Sequence, residues 1–192
     1  MKTLTLFAPS TLTLSLVCTN VSAIDGTLTI NGSIVDETCT LELNTLGASG
    51  VKDLSARLMT VPKSQIYTSM GVTFLLTDTA GTPVCDVAKT KAFKGIHLSP
   101  NVAADLDTRD TTLLVSNAAA EVYSENPVFI QILTDKNKKV DFSAPWGIQA
   151  KSAINSNFDA ATVYYTMQYF SKKGAVDAQN VTTLVNYTLH YN

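Results

Sequence analysis

The chain has 192 residues, 45% of them hydrophobic, which is enough for one domain with a sizeable core. Its formal net charge is −2, so it lacks the basic surface that attracts nucleic acid or an anionic membrane. We therefore expect no nucleic-acid partner.

The first 23 residues have the pattern of a secretion signal. Met1-Lys2 forms a short basic start, residues 4–17 are an uncharged run rich in Leu and Thr, and Val21-Ser22-Ala23 fits the small-residue rule for cleavage. The apolar run is too short to remain as a membrane-spanning anchor. We predict a signal peptide at 1–23 and a mature chain that starts at Ile24.

The cysteines agree with export. Cys18 suggests a lipid anchor as an alternative, but the residues before it lack the order that a lipoprotein signal has. Cleavage after Ala23 leaves Cys39 and Cys85, and two thiols in an exported chain predict a disulfide rather than a metal site or a nucleophile. The loop-entropy model assigns such a bridge about 4 kcal/mol of stability.

Both ends of the mature chain alternate apolar and polar residues with the period of a half-buried strand. Near the start, one face of the predicted strand carries Gly26, Leu28, Ile30, Gly32 and Ile34. At the end, one face carries Val181, Thr183, Val185, Tyr187, Leu189 and Tyr191, with Asn192 following. The chain therefore offers two strands for one sheet edge, and we predict that the first is lent to a neighbouring molecule while the last lines the groove that accepts one.

The residues between these two segments predict short strands separated by turns. We expect strands near 38–43, 71–77, 92–98, 112–115, 127–134 and 162–170. Residues 51–59 suit either a turn of helix or an irregular strand, and Val140 with Phe142 resumes a strand after the polar turn at 135–139. About seven or eight strands without a linker predict an all-β sandwich over 37–192, preceded by an N-terminal arm at 24–36.

The sequence resembles chaperone-usher fimbrial subunits, the family of the type 1 major pilin. The resemblance covers nearly all of the mature chain. Its pieces, in order, are the segment from Gly26 to Cys39, Cys85-Asp86 with the strand around Phe93, Gln131-Ile-Leu-Thr-Asp, Tyr164-Tyr-Thr-Met-Gln-Tyr-Phe-Ser and the Tyr191-Asn192 end. One departure is Gln179, which stands where the family often has a glycine, the nearest here being Gly174.

The resemblance implies an incomplete immunoglobulin-like sandwich whose groove along the last strand is filled first by a periplasmic chaperone and then by the arm of the next subunit. An outer-membrane usher and export to a fimbrium on the cell surface, where the fibre contributes to adhesion, are implied with it. Strand addition of this kind is known for pilins. Tyr191 with the Asn192 carboxylate is the implied chaperone handle, with a frayed tail as the alternative.

No catalytic, metal or cofactor site emerges from the sequence. His97 and His190 are far apart in the chain, and Asp105, Asp107 and Asp110 lack the spacing of a calcium loop, so we interpret them as a solvated turn. We therefore expect a structural subunit without enzymatic activity or cofactor.

Two alternatives stay open. The chain is either a major shaft subunit or a minor adaptor, whereas a tip adhesin would need an added receptor-binding domain. The other alternative is a self-complete secreted immunoglobulin-like sandwich that binds a ligand or receptor. For an isolated chain we expect an empty groove or a loose arm, and the third outcome is an arm folded back into its own groove.

Overall fold

The computed structural model describes residues 26–32, 39–43, 53–78, 85, 87–116, 125–157, 160–174 and 176–192. The predicted signal peptide and Ile34 lie outside these residues. Within them the chain forms ten strands, a short helix and two 3-10 turns at Lys63–Gln65 and Ala103–Asp105. The strands and helix are β1 (Gly26–Gly32), β2 (Thr40–Leu43), β3 (Asp53–Leu58), β4 (Ser69–Thr77), α1 (Val87–Ala92), β5 (Phe93–Pro100), β6 (Leu113–Val115), β7 (Phe129–Thr134), β8 (Ile154–Asn157), β9 (Ala160–Phe170) and β10 (Val181–Tyr191).

The strands form two sheets. The first has the order β3-β1-β10-β5, and the second has the order β2-β4-β9-β7-β6 with β8 also paired to β9. The parallel pair among them joins β1 to β10, and the other pairs are antiparallel. The all-β sandwich expected from the alternating pattern is confirmed.

One hydrophobic core lies between the sheets. The first sheet contributes every second residue of β3, β5 and β10, and the second contributes those of β2, β4 and β9. Phe74 and Tyr165 meet edge to face in this core, with 6.0 Å between ring centroids. Burial raises the pKa of Tyr165 to about 12. In β7 nearly every residue is buried, so both of its faces are covered.

One open alternative is decided and two local expectations need correction. Of the two structures expected for residues 51–59, the strand is the one found, and this strand, β3, pairs with β1 from Asp53 to Leu58. Val140 and Phe142 are buried but form no strand. Val140 N–H donates to Ile132 C=O at 2.9 Å, and beyond Val140 the chain turns away from the sheet. Asp105 is buried and accepts from Val102 N–H at 2.9 Å, so it is a turn cap and not a solvated group.

The two ends of the sandwich differ. At the disulfide end, α1 connects Cys85 to the start of β5, where Phe93 lies opposite Tyr191 at the end of β10. At the Val181 end, β10 begins, β9 ends and β7 starts, with Phe129 opposite Phe170.

Candidate functional site

The first strand of the chain fills a slot between β3 and β10. β3 and β10 do not pair with each other, and β1 bridges them by pairing antiparallel to β3 and parallel to β10. Gly26 lies opposite Val181, Leu28 opposite Thr183, and Gly32 opposite Tyr187. Of the three outcomes expected for an isolated chain, this is the arm folded back into its own groove.

The floor of the slot on the β10 side is apolar. Val181, Thr183, Val185 and Tyr187 are buried, whereas the alternate residues from Thr182 to Thr188 are half-buried or exposed. The inward face of β10 is therefore the face that the alternating pattern of the sequence indicates.

Thr183 carries a polar atom into this floor. The residue is fully buried, and its Oγ1 has no hydrogen-bond partner in the part of the chain that the structure describes. A hydroxyl buried without a partner loses its hydration and gains nothing in exchange. Thr183 is therefore an energetic weak point beside Leu28, its partner in the register.

The pairing of β10 with β5 continues to Tyr191. Asn192 N–H donates to Ala92 C=O at 3.0 Å, and the ring of Tyr191 lies 5.7 Å from that of Phe93. Burial raises the pKa of Tyr191. A frayed tail, and the role of Tyr191 and Asn192 as a chaperone handle, both stay predictions.

The two cysteines that remain after the predicted cleavage form a bridge. Cys39 and Cys85 are bonded, with 5.9 Å between their Cα atoms, and both are fully buried. The bridge fixes Cys39, which lies three positions after the predicted arm, at the disulfide end of the sandwich.

Comparison with known proteins gives two relatives that the chain matches over most of its length, and no family model matches. The chain is 28% identical over 172 residues to the F17 fimbrial protein of Escherichia coli, and the match covers 88% of each chain. It is also 28% identical over 180 residues to the major fimbrial subunit SMF-1 of Stenotrophomonas maltophilia, with 89% of this chain and 95% of that one covered. The chain is thus similar to two fimbrial proteins over most of its length.

This relationship confirms the resemblance found in the sequence. Both relatives carry the names of fimbrial proteins and not of enzymes. In the residues that the structure describes, no group of three His, Cys, Asp or Glu side chains is placed to hold a metal ion. None of the described helices is long and apolar enough to cross a membrane.

Sequence reasoning missed the device that closes the outer edge of β5. The amide of Gln149 pairs with both backbone groups of Leu98, at 2.9 Å to N–H and 2.7 Å to C=O, and also donates to Asp141 C=O at 2.7 Å. His97 Nε2 lies 3.0 Å from Ala144 C=O. One side chain thus replaces a neighbouring strand and blocks an edge that would otherwise template pairing.

A cluster of rings covers the outer face of the first sheet beside this edge. Trp146 stacks on His190, and His97 meets both rings edge on, although the two histidines are far apart in sequence. Gly95 lies beneath the indole with φ of +130°, and a Cβ added there would come within 3.3 Å of it. The alternation of buried and exposed residues in β5 and β10 puts both histidines at outward positions. This alternation is the feature of the sequence from which the pairing of the two histidines could have been predicted.

Proposed function

We propose that this chain is a structural subunit of a surface fimbria that polymerises by donor-strand exchange. The observation that carries the proposal is the strand order β3-β1-β10-β5. Removal of β1 would leave the facing edges of β3 and β10 unpaired and would open the apolar floor formed by β10. Such an edge aggregates unless another strand fills it. The N-terminal segment of a second copy carries the same alternation of Leu28 and Ile30 and therefore fits the slot.

The direction of the arm relative to β10 differs between the chain's own arm and an arm donated by a neighbouring subunit. The end of β10 at Tyr191 lies at the disulfide end, and β10 spans about 33 Å from Val181 to that point. From Gly32 to Cys39 the chain reaches at most about 25 Å when extended. An arm that ran antiparallel to β10 would bring Gly32 to the Val181 end, beyond this reach, so the tether imposes the parallel direction on the chain's own arm.

A strand from a neighbour has no such tether. It is free to pair antiparallel to β10, which is the slightly more stable arrangement per residue. Its globular part then leaves from the Val181 end and avoids the body of the recipient. Repetition of this contact is head to tail and does not close on itself, so it grows a fibre. We infer that the parallel arm is a temporary occupant that an antiparallel donor replaces.

Export and assembly follow from the same incompleteness. We propose that a periplasmic chaperone fills the slot before polymerisation, that Tyr191 and Asn192 help to hold it, and that an outer-membrane usher passes the subunit to the cell surface. The names of the two relatives support the fimbrial destination. Adhesion would be a property of the assembled fibre.

A second candidate function is a self-complete secreted sandwich that binds a ligand or receptor. The parallel arm in its own slot favours it, because a chain with that arm in place has no vacancy between β3 and β10. The two functions differ in whether β1 must leave the slot.

A reversible cross-link tests this difference. Thr29 and Leu184 are partners in the register of β1 and β10, where adjacent strands lie about 4.8 Å apart, a spacing that a disulfide spans. The double variant Thr29→Cys, Leu184→Cys should remain monomeric when oxidised and polymerise when reduced. Electron microscopy and size-exclusion chromatography measure both states.

The control is Thr29→Cys alone, which should polymerise under both conditions. A second experiment deletes residues 24–36. A fibre subunit should then be unstable or aggregate, and a peptide of residues 24–36 should rescue it. A deleted chain that stays monomeric and unfolds cooperatively without the peptide would refute donor-strand exchange and favour the self-complete sandwich.

A further inference from the structure

A basic cavity opens at the Val181 end of the sandwich. It has a volume of about 340 Å³ and lies between the turn before β6, the start of β7 and the segment after β9. Asn126 N–H donates to Asp177 Oδ2 at 3.2 Å, and Val128 N–H donates to Gln179 Oε1 at 3.2 Å. These bonds tie the cavity wall to the segment that leads into β10, and so to the mouth of the slot.

Three cations and one carboxylate line this cavity. Lys172 pairs with Asp107 and stands over the ring of Phe129, 5.1 Å from its centroid. Burial alone would raise the pKa of the Asp107 carboxyl. Hydrogen bonds from Lys172 and from the N–H groups of Arg109 and Asp110 lower this pKa by more than burial raises it, so the pKa lies below its ordinary value. One of the three cations is therefore neutralised within the cavity.

The remaining two cations form no ion pair with the residues that the structure describes. Lys173 Nζ donates to the backbone carbonyl of Glu125 at 2.7 Å, and no described carboxylate pairs with it. The guanidinium of Arg109 has no hydrogen bond or ion pair with any residue that the structure describes. The described lining of the cavity thus carries two positive charges in excess, in a position open to a partner.

We infer that this cavity receives Asp36 and Glu37 of the next subunit in the fibre. The inference depends on the proposed donor-strand exchange, because an antiparallel donor brings its Gly32 to the Val181 end. Asp36 and Glu37 follow Gly32 by four and five positions, so an extended chain carries them about 13–17 Å beyond the slot. Two carboxylates in sequence match the two uncompensated cations in number and sign.

The acidic pair of one chain does not serve its own cavity. Cys39 follows Glu37 by two positions and is held at the disulfide end by its bond to Cys85. The cavity lies at the opposite end, so the match is between copies and adds to specificity at each head-to-tail joint. We expect the slot to supply most of the affinity for the donor strand. The ion pairs should select the direction of the donor strand and the correct partner.

Peptide exchange on the mature chain tests this pairing. Fluorescent peptides of residues 24–38 are made with the natural sequence, with Asp36→Asn and Glu37→Gln, and with Leu28→Asp. At low salt the neutralised peptide should bind about three- to tenfold more weakly than the natural one, since exposed ion pairs contribute modestly. The difference should shrink at about 0.5 M salt, where the Debye length falls to a few ångströms.

Charge reversal of the cavity should invert the order. A chain with Arg109→Glu and Lys173→Glu should prefer a peptide with Asp36→Lys and Glu37→Lys over the natural peptide. The matched control is Lys136→Glu with Lys138→Glu, which makes the same charge change in the turn after β7, at the other end of that strand. This control should keep the natural preference.

The outcomes separate the two proposals. Equal binding of the natural and neutralised peptides, together with failure of the Leu28→Asp peptide, would overturn the role of the cavity and keep donor-strand exchange. Failure of all peptides to enter the slot would overturn both. Binding that depends on residues 36 and 37 and inverts with the cavity charges would establish the joint.

Discussion

The indole of Trp146 lies parallel to the imidazole of His190, with 3.9 Å between ring centroids and 2° between ring planes. Lys151 Nζ lies over the indole, 4.3 Å from its centroid, and donates to Trp146 C=O at 2.6 Å. The Nε2 atom of His190 is buried without a hydrogen-bond partner among the described residues. The stack therefore favours the neutral imidazole.

Acid should weaken the fold through His190. Burial, and then the charges of His97 and Lys151, lower the pKa of His190 from its ordinary value of 6.5. The unfolded chain then binds a proton more readily than the folded one, so this contribution is complete above pH 6.5 and is lost as the pH falls through the folded pKa. We expect an NMR titration of the His190 ring to show a midpoint below 6.5.

The variant His190→Phe isolates this effect, because it keeps a ring over Trp146 and cannot titrate. Its free energy of unfolding should decline less between pH 7 and pH 5 than that of the natural chain, measured by urea denaturation. A midpoint at or above 6.5 for His190, or identical pH profiles for the two chains, would contradict the prediction.

Thr183→Val should stabilise the protein. The substitution removes the buried hydroxyl that lacks a partner in the floor of the slot and places a methyl group there, which should raise the free energy of unfolding by about 1 kcal/mol. Thr188→Val is the control, since Thr188 is exposed on the same strand. A loss of stability in Thr183→Val would mean that the hydroxyl has a partner or that the cavity rejects the methyl group.

The alternation of apolar residues predicts the long strands because it reports burial directly. In β10, Val181 to Tyr187 alternate as the sequence indicates, and β9 does the same through Tyr165 and Met167. The ambiguous segment, β3, buries Leu54, Ala56 and Leu58, but small and charged residues obscure its period. Its strand conformation is decided by pairing with β1, a contact that no local pattern encodes.

The edge cap and the basic cavity escape prediction for a related reason. Gln149 meets Leu98 from 51 positions away, and Arg109 shares its cavity with residues after β9. Neither Gln149 nor Arg109 lies in a segment with a regular alternation of apolar residues. Their positions depend on the path of the loops across the ends and edges of the sheets. The helix α1 is also too short for a period to distinguish it from a turn.

Loss of the disulfide should lower stability without changing the fold. The bridge between Cys39 and Cys85 closes a loop with a sequence separation of 46, so the variant Cys39→Ala, Cys85→Ala should lose about 2–4 kcal/mol in the free energy of unfolding. Reductant should shift the natural chain in the same direction and leave the variant unchanged. An equal response of both chains to reductant would contradict this assignment of the stability to the bridge.

Gln149→Ala should expose the outer edge of β5. It removes three hydrogen bonds and leaves Leu98 N–H and C=O without their partner, which should cost about 1–3 kcal/mol in the free energy of unfolding. The freed edge should also pair between molecules, so light scattering should show lateral association distinct from head-to-tail fibres. Gln65→Ala, at an exposed site, is the control and should behave as the natural chain. Unchanged stability and solution size in Gln149→Ala would mean that the loop backbone alone protects the edge.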